Sequence, residues 1–206
     1  MHGARPSAPR IQPRADLLDK IRESMKNSPV NAVNVVGTMA HNKNLNRAFG
    51  TFAQAVLFDS GVSRRNIELA VLRMGWNCQA VYEFGQHTLF GRDAGLSDEE
   101  IYFVTRPLGQ HDWAPQERAL LQMVDDLYSD DCVSDATWNE ATNYFDTAAM
   151  IHLLMAAGCY RVVSGFLNSA GVQLDEGVPG WPTAPTTAAA AAPTAPAAPT
   201  APSAGI

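Results

Sequence analysis

The sequence predicts an all-α protein, and three observations carry that prediction. Apolar residues recur at three- and four-residue spacing through most of the first 170 positions. Caps and stops punctuate those stretches. No segment shows sustained period-two alternation or an Asn-Gly or Asp-Gly hairpin turn.

About seven or eight helices are expected, after an irregular lead-in over 1–13. Asp16 to Lys26 carries Leu17, Leu18 and Ile21 as its apolar residues. Between Asn44 and Ser60, Leu45, Phe49, Phe52, Val56 and Leu57 share one helical face, and Gly61 is the stop. Ser63 is an N-cap for Arg64 to Trp76, a stretch apolar nearly all round and therefore expected to be buried. Gln79 to Asp93 follows, ended by Gly95. Ser97-Asp98-Glu99-Glu100 reads as a capping box for a short helix through Val104. Pro115 sits at a first helical position ahead of Gln116 to Tyr128. Ser134 to Phe145 is next. Asp146 then caps a long apolar helix to Ser169, with Gly171 beyond it.

Composition limits the function classes. The chain has 206 residues, 15 Lys+Arg against 21 Asp+Glu, and a net charge of −6, so no basic nucleic-acid footprint exists. Seven of the 13 prolines lie in the last 28 residues, and Glu176 is the last charged residue. The expected organisation is a helical domain over 14–176 and a disordered Ala/Pro/Thr-rich tail over 177–206, with Pro-Thr-Ala-Pro repeated in it. Cys78, Cys132 and Cys159 form no CxxC pair, which argues against a disulfide scaffold or thiolate zinc site. The N-terminus has no apolar stretch of signal-peptide kind. The apolar run from Ala148 to Cys159 falls short of the roughly 20 residues that span a bilayer. A cytoplasmic protein with no membrane partner is expected.

Few residues can carry chemistry. Glu83 and His87 are four apart on one helix face, where a carboxylate can orient an imidazole, raise its pKa and exchange protons with it. Glu68 is a carboxylate inside a nearly all-apolar helix. It is either paired structurally to Arg64 or Arg65, or meets His87 across a helix contact. Arg73 could hold a substrate carboxylate or serve as a plain ion-pair partner. Tyr82 is a candidate hydrogen-bond donor. Cys78, close ahead of a helix N-terminus, is a candidate redox thiol or an inert buried one. His152, among apolar neighbours, reads as a satisfied core histidine. No glycine-rich phosphate loop, HExxH or ligand cluster signals a cofactor or metal.

The stretch Ser63-Arg64-Arg65-Asn66-Ile67-Glu68-Leu69-Ala70-Val71-Leu72-Arg73, then Tyr82-Glu83-Phe84-Gly85-Gln86-His87, then Ala94-Gly95-Leu96-Ser97, resembles the carboxymuconolactone decarboxylase family of the alkylhydroperoxidase D-like (AhpD-like) superfamily. The flanks match at Pro29-Val30-Asn31, Ala40-His41, Gly158-Cys159-Tyr160-Arg161 and Gly171-Val172-Gln173-Leu174. The peroxidase-like branch carries a CxxC dithiol whose positions fall on Ala80 and Glu83 here. Without the thiols there is no disulfide cycle, so the chain looks like the decarboxylase-like branch.

The resemblance implies an AhpD-like helical bundle that assembles as a homotrimer or homohexamer, with pockets between helices near subunit contacts. It also implies a cofactor-independent acid–base enzyme that decarboxylates a small carboxylic acid or lactone. In that reading His87 protonates carbon, Glu83 orients and poises it, Glu68 relays protons or fixes the far ring nitrogen, and Tyr82 and Arg73 bind substrate. An isomerase, dehydratase or lactone hydrolase would use the same residues. A single-thiol peroxidase at Cys78, or a scaffold or cargo protein docked by its tail to a protein partner, are the other readings.

Overall fold

The computed structural model describes residues 3–26, 31–58 and 61–185. Among these residues the secondary structure is wholly helical, with nine α-helices and two short 3-10 turns. In chain order they are α1 (Leu18–Met25), α2 (Val33–Met39), α3 (Lys43–Phe58), α4 (Arg64–Asn77), α5 (Val81–Asp93), α6 (Asp98–Phe103), α7 (Pro115–Asp130), α8 (Asp135–Ala141) and α9 (Thr147–Ala170). The flank at 29–30, the expected helix end at Ser60 and the tail over 186–206 lie outside the described residues.

Local chemistry sets most of the boundaries. Ser63, Ser134 and Asp146 each accept a hydrogen bond from a backbone N–H in the first turn of α4, α8 and α9. Ser97 and Glu100 close a reciprocal capping box on α6. Gly171 ends α9 at φ +70°, and a Cβ there would meet the Ala8 carbonyl oxygen at 2.7 Å. The lead-in crosses this end, where the Arg10 and Ile11 amides both donate to the Ala170 carbonyl.

One helix was not expected. Helix α2 is rich in β-branched residues and has no side-chain cap of its own, so its intrinsic propensity is weak. Its cap is tertiary: the Asn34 amide donates to Asp175 Oδ1 at 3.0 Å, 141 positions away in sequence. Helix α5 starts at Val81 rather than Gln79, because Gln79 takes a left-handed φ of 52° that breaks the helix between α4 and α5. Helix α8 ends at Ala141, four residues short of the expected Phe145.

Helix α4 is the axis of the core and packs against α5, α7 and α9. Ile67, Glu68, Leu69, Ala70, Val71, Leu72 and Met74 are fully buried. Arg65 fastens its start to α6 and α7 through Glu100 and through Glu117 at 2.7 Å.

Helix α9 corrects a second expectation. It runs for 24 residues with a mean hydropathy of 1.5 in its most apolar window, enough by length and composition to cross a membrane. In the fold it is packed against α3, α4, α5 and α7. Its outer face leaves Ile151, Met155 and Val162 at 58%, 50% and 71% exposed.

The packed chain also continues past the expected limit at 176. Val178 is buried, and the Trp181 ring sits edge-on to Trp76 at 5.1 Å and tilted against Phe84 at 5.2 Å. A Cβ on Gly85 would come within 2.2 Å of the Pro179 carbonyl oxygen, so the strap lies directly on the α5 backbone.

Candidate active site

Helices α4 and α5 bring three ionisable side chains together. On α5, one helical turn aligns Glu83 with His87. On α4, Glu68 points at α5 from a fully buried position. His87 Nδ1 and Glu68 Oε2 are 2.6 Å apart. Glu83 Oε1 lies 3.0 Å from His87 Nε2, at ion-pair distance but outside hydrogen-bond geometry, and has no hydrogen-bond partner. Arg64 Nη2 donates to Glu68 Oε1 at 3.1 Å. A continuous chain of charge therefore runs Arg64, Glu68, His87, Glu83.

The histidine and the two glutamates are shielded. His87 and Glu83 side chains are each 5% exposed, and Glu68 is not exposed at all. Burial by itself would push the imidazolium down. The charges of Glu68 and Glu83 outweigh it and raise His87 from 6.5 to about 10. The ring is thus a stored proton between two carboxylates at neutral pH. The two acids face opposite ring nitrogens, so they do not converge on one point. Among the described residues no His, Cys, Asp and Glu group is arranged to hold a metal ion.

Aromatic rings wall the chain. Tyr160 of α9 stands edge-on to the His87 ring at 4.7 Å, and Phe90 lies at 5.3 Å. Burial first, then the negative charges of Glu83 and Glu68, hold the Tyr160 phenol well above its ordinary value. It stays a neutral hydroxyl donor beside the relay. Tyr160 has no role in the sequence-based site. Its distance from His87 in sequence hides it, and only its place within the matching Gly158–Arg161 flank signals it.

The other expected site residues go elsewhere. Tyr82 is buried with its hydroxyl donated to Asp175 Oδ2 at 2.5 Å, in a cluster with Gln86 that ties α5 to the chain after α9. Five residues from His87 is about 140° around a helix, so the two side chains leave opposite faces. Arg73 is likewise committed. It grips Asp125 with Nε at 2.7 Å and Nη2 at 2.6 Å, and donates Nη1 to the carbonyls of Val104 and Arg106. It is a structural bolt between α4 and α7, with no fork left for a substrate. Cys78 caps the C-terminal end of α4, and burial pushes its thiol up rather than down. Of the two readings of Cys78, that direction is the one expected of an inert buried thiol. His152 Nε2 donates to the Val56 carbonyl oxygen at 2.7 Å, as a satisfied core histidine should.

Comparisons with known proteins agree with this architecture. Residues 43–126 match the model of the Carboxymuconolactone decarboxylase family. No curated protein matches the chain. A peroxidase-related protein from Ralstonia eutropha JMP134 with an alkylhydroperoxidase AhpD core superposes at a TM-score of 0.69 and 19% identity, covering 85% of this chain and 95% of that one. A peroxidase-related protein from Silicibacter sp. TM1040 superposes at 0.70 and 13% identity, covering 85% and 94%. The debrominase Bmp8, in complex with 2,3,4-tribromopyrrole, superposes at 0.67 and 14% identity, covering 81% and 91%. Likeness at these identities speaks for the fold. The matched segment spans both glutamates and the histidine, and the chain has the AhpD-like helical fold.

Proposed function

We propose that this protein is a cofactor-independent acid–base enzyme that decarboxylates a small carboxylated or lactone-containing compound. The observation that carries the reading is the buried imidazole held between Glu68 and Glu83. A substrate carboxylate β or vinylogous to a carbonyl leaves as carbon dioxide, and its electron pair passes into an enolate. The positive imidazolium stabilises that charge in a site shielded from water. His87 then delivers its Nε2 proton to carbon. Glu83, unpartnered beside Nε2, returns a proton from solvent, and Glu68 fixes the far nitrogen. One proton is consumed per carbon dioxide released. A positioned acid of this kind is typically worth 10²–10⁴-fold.

The debrominase among the structural neighbours acts within the same fold, which supports enzymatic use of the scaffold. The missing dithiol and the raised Cys78 thiol weigh against a thiol peroxidase. Assembly of identical subunits belongs to the same proposal. The outer face of α9 is uncharged along Ile151, Met155 and Val162, and α3 buries only Val56 and Leu57 of its 16 residues. Unpaired thiols at all three cysteines suit a cytoplasmic setting.

The test is product mass from candidate acids and lactones with wild type and Glu83→Gln. Loss of carbon dioxide, reduced at least about 100-fold in the variant, supports the reading. Loss or gain of water, or an unchanged mass, replaces decarboxylation with dehydration, hydrolysis or isomerisation. Wild-type rates in Glu83→Gln remove the relay from the chemistry.

A further inference from the structure

We propose that Arg64 is the anchor for the carboxylate of the substrate, and that the substrate's body is planar and unsaturated. This rests on the acid–base reading of the same site. The guanidinium groups of the core are spent unequally. Arg73 uses Nε, Nη1 and Nη2 on Asp125 and two carbonyls. Arg65 is shared among Glu100, Glu117 and the Gly95 carbonyl. Arg64 makes one hydrogen bond, to Glu68, and its buried Nε has no partner. A buried guanidinium N–H without an acceptor is an unmet demand, and a carboxylate meets it with two parallel bonds.

Its position fits that use. The Arg64 side chain is 33% exposed, whereas Glu68, Glu83 and His87 are at 0%, 5% and 5%. With the imidazole protonated the four charges sum to zero, and the cation lies outermost. An arriving anion therefore meets the guanidinium before either carboxylate. The flat face of Arg64 lies 4.5 Å from the Phe58 ring centre and 5.7 Å from that of Phe90. Phe90 also flanks the His87 ring at 5.3 Å. One aromatic wall thus spans the distance from the anchoring cation to the proton donor. A flat, conjugated acid bound at Arg64 lies along that wall, with its unsaturated carbons directed to His87 and Glu83. Conjugation is also what lets such a molecule accept the electron pair.

Binding tests this without turnover. Benzoate and trans-cinnamate, with benzamide and cinnamamide as neutral partners, are titrated into the full-length protein by calorimetry and ligand-observed NMR. The acids should bind saturably and at least about tenfold tighter than the amides. Arg64→Gln should remove that advantage and leave amide binding within about twofold. Arg64→Lys keeps the charge beside Glu68 and loses the fork, so it should fall between, and it serves if the Gln variant does not fold. Equal binding of acid and amide by wild type, no saturable binding of either acid, or wild-type benzoate affinity in both variants would each overturn the proposal. Carboxylate binding through Arg64 with no proton-transfer turnover sinks the acid–base reading alone. Turnover that needs Glu83 but ignores both Arg64 variants sinks the anchor alone.

Discussion

Replacing Glu68 with Gln isolates the electrostatics of the relay, because it removes a charge and almost no volume. Glu68 is fully buried and touches Arg64 at 3.1 Å and His87 at 2.6 Å. The rise of His87 from 6.5 to about 10 corresponds to roughly 5 kcal/mol in favour of the imidazolium. Glu68 is the larger of the two charges responsible, so its loss should remove about 3 kcal/mol, the scale of a broken buried ion pair. For a domain of this size that is a fall of roughly 6–12 °C in thermal midpoint near neutral pH. The sign follows from linkage. The folded-state value of His87 is raised, so its stabilisation is complete below about 6.5 and is lost as pH rises through about 10. Wild-type thermal midpoints should therefore decline between pH 7 and pH 10, and Glu68→Gln should flatten that decline. Calorimetric melts across this range, with NMR titration of the His87 ring, give both quantities. A wild-type ring that titrates near 6.5, or a variant with the wild-type melting profile, would refute the reasoning.

Three further outcomes are expected. Arg73→Ala should lower stability by about 3 kcal/mol, since it strands two carbonyls and leaves Asp125 with Asn77 but no counter-charge, while the KM for a carboxylate substrate stays within about twofold; a large KM change would restore Arg73 to the site. Gly85→Val should displace the strap at Pro179 and free the Trp181 ring, read as a red-shifted, more quenchable tryptophan emission; an unchanged spectrum would show that the close approach is not obligatory. Met155→Glu with Val162→Glu puts charge on the exposed α9 face, and light scattering should report a smaller assembly with unchanged helical content; an unaltered mass would move the subunit contact elsewhere.

An i, i+4 pair was visible in the sequence, and so was the oddity of a carboxylate in an apolar helix. Their union needed α4 to lie against α5 with Glu68 and His87 at the same height. His87→Ala leaves buried Glu83 without a counter-charge and Glu68 with Arg64 alone, so it should destabilise the protein as well as stop catalysis. Gentler changes at Glu83 or Arg64 are the cleaner probes.

Helix positions were legible because caps, stops and apolar periodicity are local: Ser63, Ser97, Pro115, Asp146 and Gly171 each act on neighbours within a turn. The separation of Tyr82 and Arg73 from the site was also available in principle, since each is five residues from its glutamate or histidine and so on another face. What the chain decided only by folding lies beyond local reach. Asp175 caps α2 from the far end of the domain, and Trp181 anchors a segment whose average composition looks unable to pack. Tyr160 becomes part of the site because α9 crosses α5. Arg64 and Arg65, adjacent and chemically identical, part ways: one reaches two carboxylates on other helices, and the other is left with donors unspent beside the imidazole. Glu68, one turn on from Arg64, is the local part of that distinction; the rest is a matter of which helices stand opposite.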